Sequence, residues 1–306
     1  MLEQVLSVLA PRALERWLAL ALQPMVLLLC CAAVVSWSDG DLDRARAVGE
    51  WLEKAGTPVT GVLVVAVALA LAGAGLLGLA LAAPVLRFLH GLGPVWRWCG
   101  RPFLWWARRR TRRIRARWVL GLARQGAAGA GPRELADYQR WERARRRYPA
   151  DPAYLLPTRL GNLVRASERR IEGRYGLDPA AVWPALTRAL PEQALLAAER
   201  ARGGLDRATA AMVWGVVFAV TMWPFSMWAL PVGLLAVPVV VRGVLPGRAA
   251  RFATELEAVF AAHRGELYRV SRWPLPPSPA GEPAAGRALT VHITRGSDDP
   301  SARFTP

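Results

Sequence analysis

Few residues in this 306-residue chain have the types and spacing of reacting groups. Gly73-Ala74-Gly75-Leu76-Leu77-Gly78 matches the G-x-G-x-x-G turn whose backbone cradles a pyrophosphate. It lies inside the uncharged stretch Ala55–Leu86, with no strand–turn–helix unit around it and no acid about 20 positions on. Ala70, Ala74 and Gly78 are expected instead to form a close helix-packing face. Glu168 and Glu172 have the spacing of an acid pair, but Arg165, Arg169 and Arg170 surround them, as on an ion-paired helix surface. Cys30 and Cys31 are adjacent in an apolar run and Cys99 stands alone, which makes neither a disulfide framework nor a zinc set. His90, His263 and His292 are isolated, and no G-x-x-x-x-G-K-[ST], H-E-x-x-H or G-x-S-x-G string occurs. The expectation is a protein that is not an enzyme, with no catalytic group, metal or cofactor.

The remaining chemistry is that of guanidinium. Arg87 to Arg147 contains seventeen arginines against Glu134, Asp137 and Glu142, a net charge of +14. Guanidinium pairs bidentately with phosphate and is weakly hydrated. A helix is expected from Pro102, as its first residue, to about Ala123, with Phe103, Ala107, Ile114, Trp118 and Leu122 on one apolar stripe. Trp105 and Trp106 widen the stripe, while Arg108, Arg109, Arg110, Arg112, Arg113, Arg115 and Arg117 cover the remainder. Such a helix suits the membrane interface, where each arginine near an anionic leaflet contributes roughly 1 kcal/mol. These seven arginines are the candidate anionic-lipid site. The run would also bind any phosphate polymer, but its place beside an apolar segment favours lipid over nucleic acid.

The apolar segments are what position this run. Trp17–Trp37, Ala55–Leu86 and Ala208–Val241 carry no charge, and about 20 apolar residues suffice to cross a hydrocarbon core of ~30 Å. Tryptophan favours the headgroup level, so Trp17 and Trp37 mark the ends of a first span, uncleaved rather than a signal peptide. A second span is expected from about Val59 to Ala83, ended by Pro84 and Arg87. The connection Ser38–Lys54 has a net charge of −2. The arginine excess after the second span places that side in the cytoplasm. The third run is flanked by arginines on both sides and broken by Trp223-Pro224-Phe225, so it is read as a short hairpin, with Trp223 at its tip as a further interfacial anchor. A re-entrant hairpin or a single crossing are the alternatives.

The expected fold is therefore all-α and polytopic: four transmembrane helices as two hairpins, with a cytoplasmic helical region between them. Its parts are a first hairpin (1–90), Arg/Trp-rich helices (91–150), a helical region (151–206), a second short hairpin (207–242), an amphipathic helix (243–273) and a Pro-rich linker and tail (274–306). Within these, a Gly/Ala linker (126–132) precedes a helix at about Arg133–Tyr148. Asp178-Pro179 opens a helix that Trp183-Pro184 should interrupt. Gly247–Arg272 should be amphipathic, with Phe252, Leu256, Val259, Phe260, His263, Leu267 and Val270 on one face. The last twenty residues are expected to lack order, apart from a short alternating segment at Leu289–Thr294.

Leu156-Pro157-Thr158-Arg159-Leu160-Gly161-Asn162, followed by Arg174-Tyr175-Gly176-Leu177-Asp178 and Trp183-Pro184, resembles a pattern in actinobacterial integral membrane proteins that have no assigned activity. His263-Arg264, Leu267-Tyr268 and Trp273-Pro274-Leu275-Pro276 are similar to the tail of the same group, so the likeness covers about Leu156–Gly296. The short hairpin followed by an amphipathic helix also resembles the two-span SLATT effector domains of bacterial conflict systems. The resemblance implies a membrane protein and no particular reaction. The functional expectation is a multi-pass protein of the cell's inner membrane with both termini cytoplasmic, acting as a scaffold or recruitment factor whose arginine-rich region rests on the anionic leaflet. Its expected partners are membrane lipid, a cytoplasmic protein and a second copy of itself. A homo-oligomeric pore or membrane-disrupting effector is the first alternative, and a membrane-tethered nucleic-acid binder the second.

Overall fold

The computed structural model describes residues 22–32, 50, 54, 56–125 and 131–296. Trp17, Trp37, most of the acidic connection and the tail beyond 296 lie outside the described residues. Those that are described are helical, with no strand among them: α1 (Leu22–Ala32), α2 (Gly56–Leu89), α3 (Pro94–Gln125), α4 (Pro132–Arg145), α5 (Arg159–Tyr175), α6 (Pro179–Ala189), α7 (Glu192–Met222), α8 (Ala229–Val239), α9 (Leu245–Val270) and α10 (Glu282–Arg295). Three helical stretches are long and apolar enough to cross a membrane: Pro58–Leu89, Glu192–Met222 and Ala229–Val270. In the first of these only 17% of the most apolar window is buried by protein, an exposure that water would penalise and lipid would not. Contacts divide the chain into two compact units, Met1–Leu86 with Asp206–Leu245, and Arg87–Leu205 with Pro246–Pro306.

The first unit is built on small residues. Leu71, Gly75, Gly78 and Ala82 recur at three- and four-residue steps and form the buried face of α2. A Cβ on Gly78 would stand 2.6 Å from Nε1 of Trp214 on α7, so any side chain there would oblige that indole to shift. This corrects the expected packing face. Ala70 is exposed and Ala74 half-buried, because the face is rotated by one residue onto Gly75. The third apolar run folds back at Trp223–Trp228. Pro224 has no amide proton, and the carbonyl of Met222 accepts from Phe225 N at 3.1 Å and Ser226 N at 3.0 Å. Beyond the turn, Gly233 of α8 meets α7 so closely that a Cβ there would lie 2.6 Å from the carbonyl oxygen of Gly215 and 2.7 Å from Cβ of Ala219. Pro238 then deprives α8 of one helical hydrogen bond, and a π-turn at Val240–Val244 leads into α9.

Helix α2 does not stop at Pro84 or Arg87 as expected; it runs to Leu89. Gly91 and Gly93, at φ 83° and 120°, end it in a conformation that favours glycine. Gly91 N–H donates to Phe88 O at 2.9 Å and Leu92 N–H to Arg87 O at 3.0 Å.

The second unit has a dense core of Ile171, Leu177, Val182, Leu186, Phe260, Leu267, Tyr268 and Leu289, drawn from α5, α6, α9, α10 and the loop after α5. Arg170 ties three parts of it together, donating to Glu257 on α9 at 2.6 Å and to the carbonyl of Arg146 at 2.6 Å. Four expectations are corrected here. Helix α3 begins at Pro94, not Pro102, and passes through Pro102. Trp183-Pro184 does not interrupt α6, which continues through Pro184 at its sixth position to Ala189 and forgoes only the bond that the Ala180 carbonyl would accept. Val270 is exposed at the end of α9 and leaves the expected face, whose other large residues are buried or half-buried. Leu289–Thr294 is not an isolated alternating segment but part of the helix α10, Glu282–Arg295: Ala285, Leu289 and Ile293 recur every four residues, and that helical spacing outweighs the local alternation.

Candidate anion-binding site on α3

At about 100° per residue, α3 has four sides. Gly100, Ala107, Thr111, Ile114 and Gly121 are buried along one of them. Ile114 packs with Tyr148 and Leu155, and α4 approaches until Tyr138 Cα is 3.4 Å from where a Cβ on Gly121 would be. This corrects the expected apolar stripe, since Ala107 and Ile114 face protein and are not free to face lipid. Phe103 and Leu122 are exposed. The uncovered aromatic groups are instead Trp98, 86% exposed, with Trp105 and Trp106. Trp98 was outside the expected helix because that helix was started one proline too late.

The seven arginines fall into distinct sets. Arg109 lies 5.3 Å over the ring of Trp105 and Arg110 lies 5.2 Å over Trp106, each a four-residue pair on one helix face. Arg159 of α5 is also 5.4 Å from Trp106. Arg115 is drawn inward, its Nη2 donating to the carbonyls of Pro149, at 3.3 Å, and Ala150. Arg113 and Arg117 are exposed on the flank that carries Trp106 and Arg110. Arg108 and Arg112 stand on the opposite flank. With Arg115 and Thr111 they line a cleft of about 260 Å³, closed on its far side by Pro152, Ala153 and Leu155.

The carboxylates nearby are otherwise engaged. Glu134 accepts from Gly131 N–H at 3.0 Å, and Asp137 pairs with Arg140 at 2.7 Å. Glu142 takes both Nε and Nη2 of Arg145 at 3.0 Å. The Arg145 hydrogen bonds hold the Glu142 carboxyl below its ordinary range, against a smaller opposing effect of burial. Asp151 accepts from Ala153 N–H at 2.8 Å and caps the short turn Pro152–Tyr154. Among the described residues none of these seven arginines, from Arg108 to Arg117, has a carboxylate partner. Trp118 is half-buried beneath Arg145, 4.5 Å from its guanidinium, so it is drawn into the protein rather than left as an exposed anchor. Trp223 is exposed at the turn after α7, as are Met227 and Trp228, which the sequence reading had not singled out. Trp17 and Trp37 lie outside the described residues.

The residues that carried the resemblance are structural. Thr158 caps α5 by accepting from Gly161 N–H at 3.0 Å. A Cβ on Gly161 would lie 1.9 Å from the carbonyl oxygen of His90, so the chain after α2 passes directly over this helix start. Asn162 is 1% exposed and joins backbone on both sides of Pro157. It accepts from Leu156 N–H at 2.9 Å and donates at 2.6 Å to the carbonyls of both Leu156 and Thr158. Gly176 ends α5 at φ 71°, and Asp178 caps α6. Glu168 and Glu172 are ion-paired as expected, with Arg165 at 3.2 Å and Arg169 at 2.5 Å. Burial nonetheless pushes the Glu168 carboxyl upward. No group of three His, Cys, Asp or Glu among the described residues is arranged to hold a metal ion.

Fold and site together define an all-helical protein with three helices able to cross a membrane and a separate arginine-rich helical unit. No protein-family model, curated protein or solved structure matches the chain.

Proposed function

We propose that this is a non-enzymatic integral membrane protein of the inner membrane, with four spans as two hairpins and both termini cytoplasmic, in which α3 rests on the anionic leaflet and presents a platform for a cytoplasmic partner. The observation that carries the reading is the surface of α3: exposed Trp98, Trp105 and Trp106 beside exposed arginines that no described carboxylate neutralises. Aromatic rings favour the headgroup level and guanidinium favours its phosphates. The helix also begins five residues after α2 ends, which keeps its start close to the lipid surface. Fourfold crossing asks for short legs. Ala208–Met222 spans about 22 Å and Ala229–Val241 about 20 Å at 1.5 Å per residue. Arg207 and Arg242 would reach outward along their stems to the headgroups, with local thinning of the bilayer. A pore made by self-association is the weaker reading, because the glycines that would bring helices of neighbouring copies together already pack within the chain, Gly78 on Trp214 and Gly233 on Gly215.

The test places a spin label on the exposed Cys99, beside Trp98, in the full chain with Cys30 and Cys31 changed to Ser. In discs containing anionic phosphatidylglycerol the label should enter the headgroup region, and about 0.5 M salt, which shortens the screening length to a few ångström, should release it. Equal immersion in purely neutral discs would reject the electrostatic part of the proposal.

A further inference from the structure

We infer that the cleft between α3 and the Pro152–Tyr154 turn is a seat for one phosphate group, supplied in the membrane by a lipid headgroup. The inference deepens the leaflet reading and rests on it for the lipid source; the seat itself follows from the cleft. Arg108, Arg112 and Arg115 are spaced to share one flank of α3, and all three line a space of about 260 Å³. That is several times the ~30 Å³ that a water occupies in the liquid, enough for a tetrahedral oxyanion.

No carboxylate lines the cleft. The nearest acid in sequence, Asp151, is held by Ala153 N–H at 2.8 Å. Thr111 supplies wall rather than a donor, since its hydroxyl donates to Ala107 O at 2.8 Å. Arg115 is fixed before any ligand arrives, because its Nη2 serves the carbonyls of Pro149 and Ala150 while Nε and Nη1 remain for an anion. The apolar wall of Pro152, Ala153 and Leu155 keeps water from one side and strengthens each charged contact.

A second feature favours a lipid. An adjoining cleft of about 210 Å³ shares Thr111 and Arg115 with the first and is otherwise lined mainly by apolar groups, Ile114, Trp118, Val119 and Tyr148, with one further cation, Arg145, that Glu142 already pairs. A ligand with its phosphate at Arg108 and Arg112 and its glycerol or first methylenes beyond Arg115 matches that order of polarity. Free phosphate would use the basic cleft alone.

The experiment uses the full chain in non-ionic detergent. Native mass spectrometry counts retained lipid after equilibration with equal phosphatidylglycerol and phosphatidylcholine, and calorimetry titrates inorganic phosphate. The wild type should retain one phosphatidylglycerol per chain. Arg108→Gln with Arg112→Gln should weaken that retention about tenfold or more, the loss of two charge-assisted contacts. Arg113→Gln with Arg117→Gln removes the same charge from the opposite flank of the same helix and should change it by less than about threefold, the scale of a screened surface charge. Saturable binding of inorganic phosphate, lost in the first pair and kept in the second, with no lipid preference, would support the seat and assign it to free phosphate. Equal loss in both pairs would overturn the seat and leave the leaflet reading standing. Retention of neither anion by the wild type would also overturn it, while the Cys99 label judges the leaflet reading separately.

Discussion

Replacing Asn162 by Leu removes a side chain that holds the segment before α5 in place. Asn162 is buried and makes three hydrogen bonds to backbone: one to the amide and one to the carbonyl of Leu156, and one to the carbonyl of Thr158. The carbonyl of Thr158 keeps its bond from Asn162 N–H at 3.1 Å, so the groups left without a partner are the amide and carbonyl of Leu156. An unpaired buried polar group costs about 1–3 kcal/mol. Two of them at a half-buried site make roughly 2–4 kcal/mol, or on the order of 30- to 700-fold in the local opening equilibrium. Hydrogen exchange of the full chain in detergent reads this directly. Amides of residues 155–164 should exchange faster by that factor, while those of 285–293 in α10 stay unchanged. Thr158→Ala, which removes one cap, should accelerate the same segment only about fivefold, the scale of a ~1 kcal/mol cap. Asn162→Asp should be at least as disruptive as Leu, because it puts a carboxylate oxygen where an amide donated to two carbonyls. Unchanged exchange in Asn162→Leu, or an Asp variant milder than Thr158→Ala, would refute the reasoning.

Three further outcomes follow from the packing and the charges. Gly78→Ile should destabilise the first unit by about 1–3 kcal/mol, the range for overpacking. It should also shift Trp214 emission, whereas Gly78→Ala needs only a small swing of the indole; identical thermal midpoints for the two variants would contradict the close approach. Burial, and then the Arg202 charge, lower the His90 pKa from 6.5 to about 4. The folded state therefore holds His90 neutral, and its contribution is complete above pH ~6.5 and lost as pH falls toward ~4, by on the order of 3 kcal/mol at most. His90→Leu should flatten that part of the stability profile between pH 7 and 4.5, and an unaltered slope would dismiss it. Finally, Phe225→Cys, in a chain otherwise free of cysteine, should react with an impermeant thiol reagent added outside intact cells if the second hairpin crosses the bilayer. Labelling only after the membrane is opened would make that hairpin re-entrant.

Much of the fold was legible in the chain because each signal was local. Uncharged runs of sufficient length announce helices able to cross a membrane whatever packs against them, and the break at Trp223-Pro224-Phe225 follows from a missing amide proton. Asp178 marks a helix start through its own side chain, and Glu168 with Arg165 is a pair set by helical spacing. Helix α10 was missed because alternation over Leu289–Thr294 competes with a four-residue period whose meaning depends on a distant core. Pro102 and Pro184 were read as boundaries because a proline's cost depends on which carbonyl loses its partner.

What the sequence determined by itself is the segregation of charge from oil along the chain, and with it an all-helical protein with helices long and apolar enough to cross a membrane. Which arginines are available for an anion was decided only by tertiary structure. The seven guanidinium groups from Arg108 to Arg117 are equivalent in composition. They become different when Ala107 and Ile114 turn inward, because a helix that buries one side assigns every other residue its direction. Arg115 is then fixed through Nη2 on the carbonyls after α4, Arg109 and Arg110 rest on their own tryptophans, and Arg108 and Arg112 join Arg115 at a cleft whose other wall comes from residues some forty positions away.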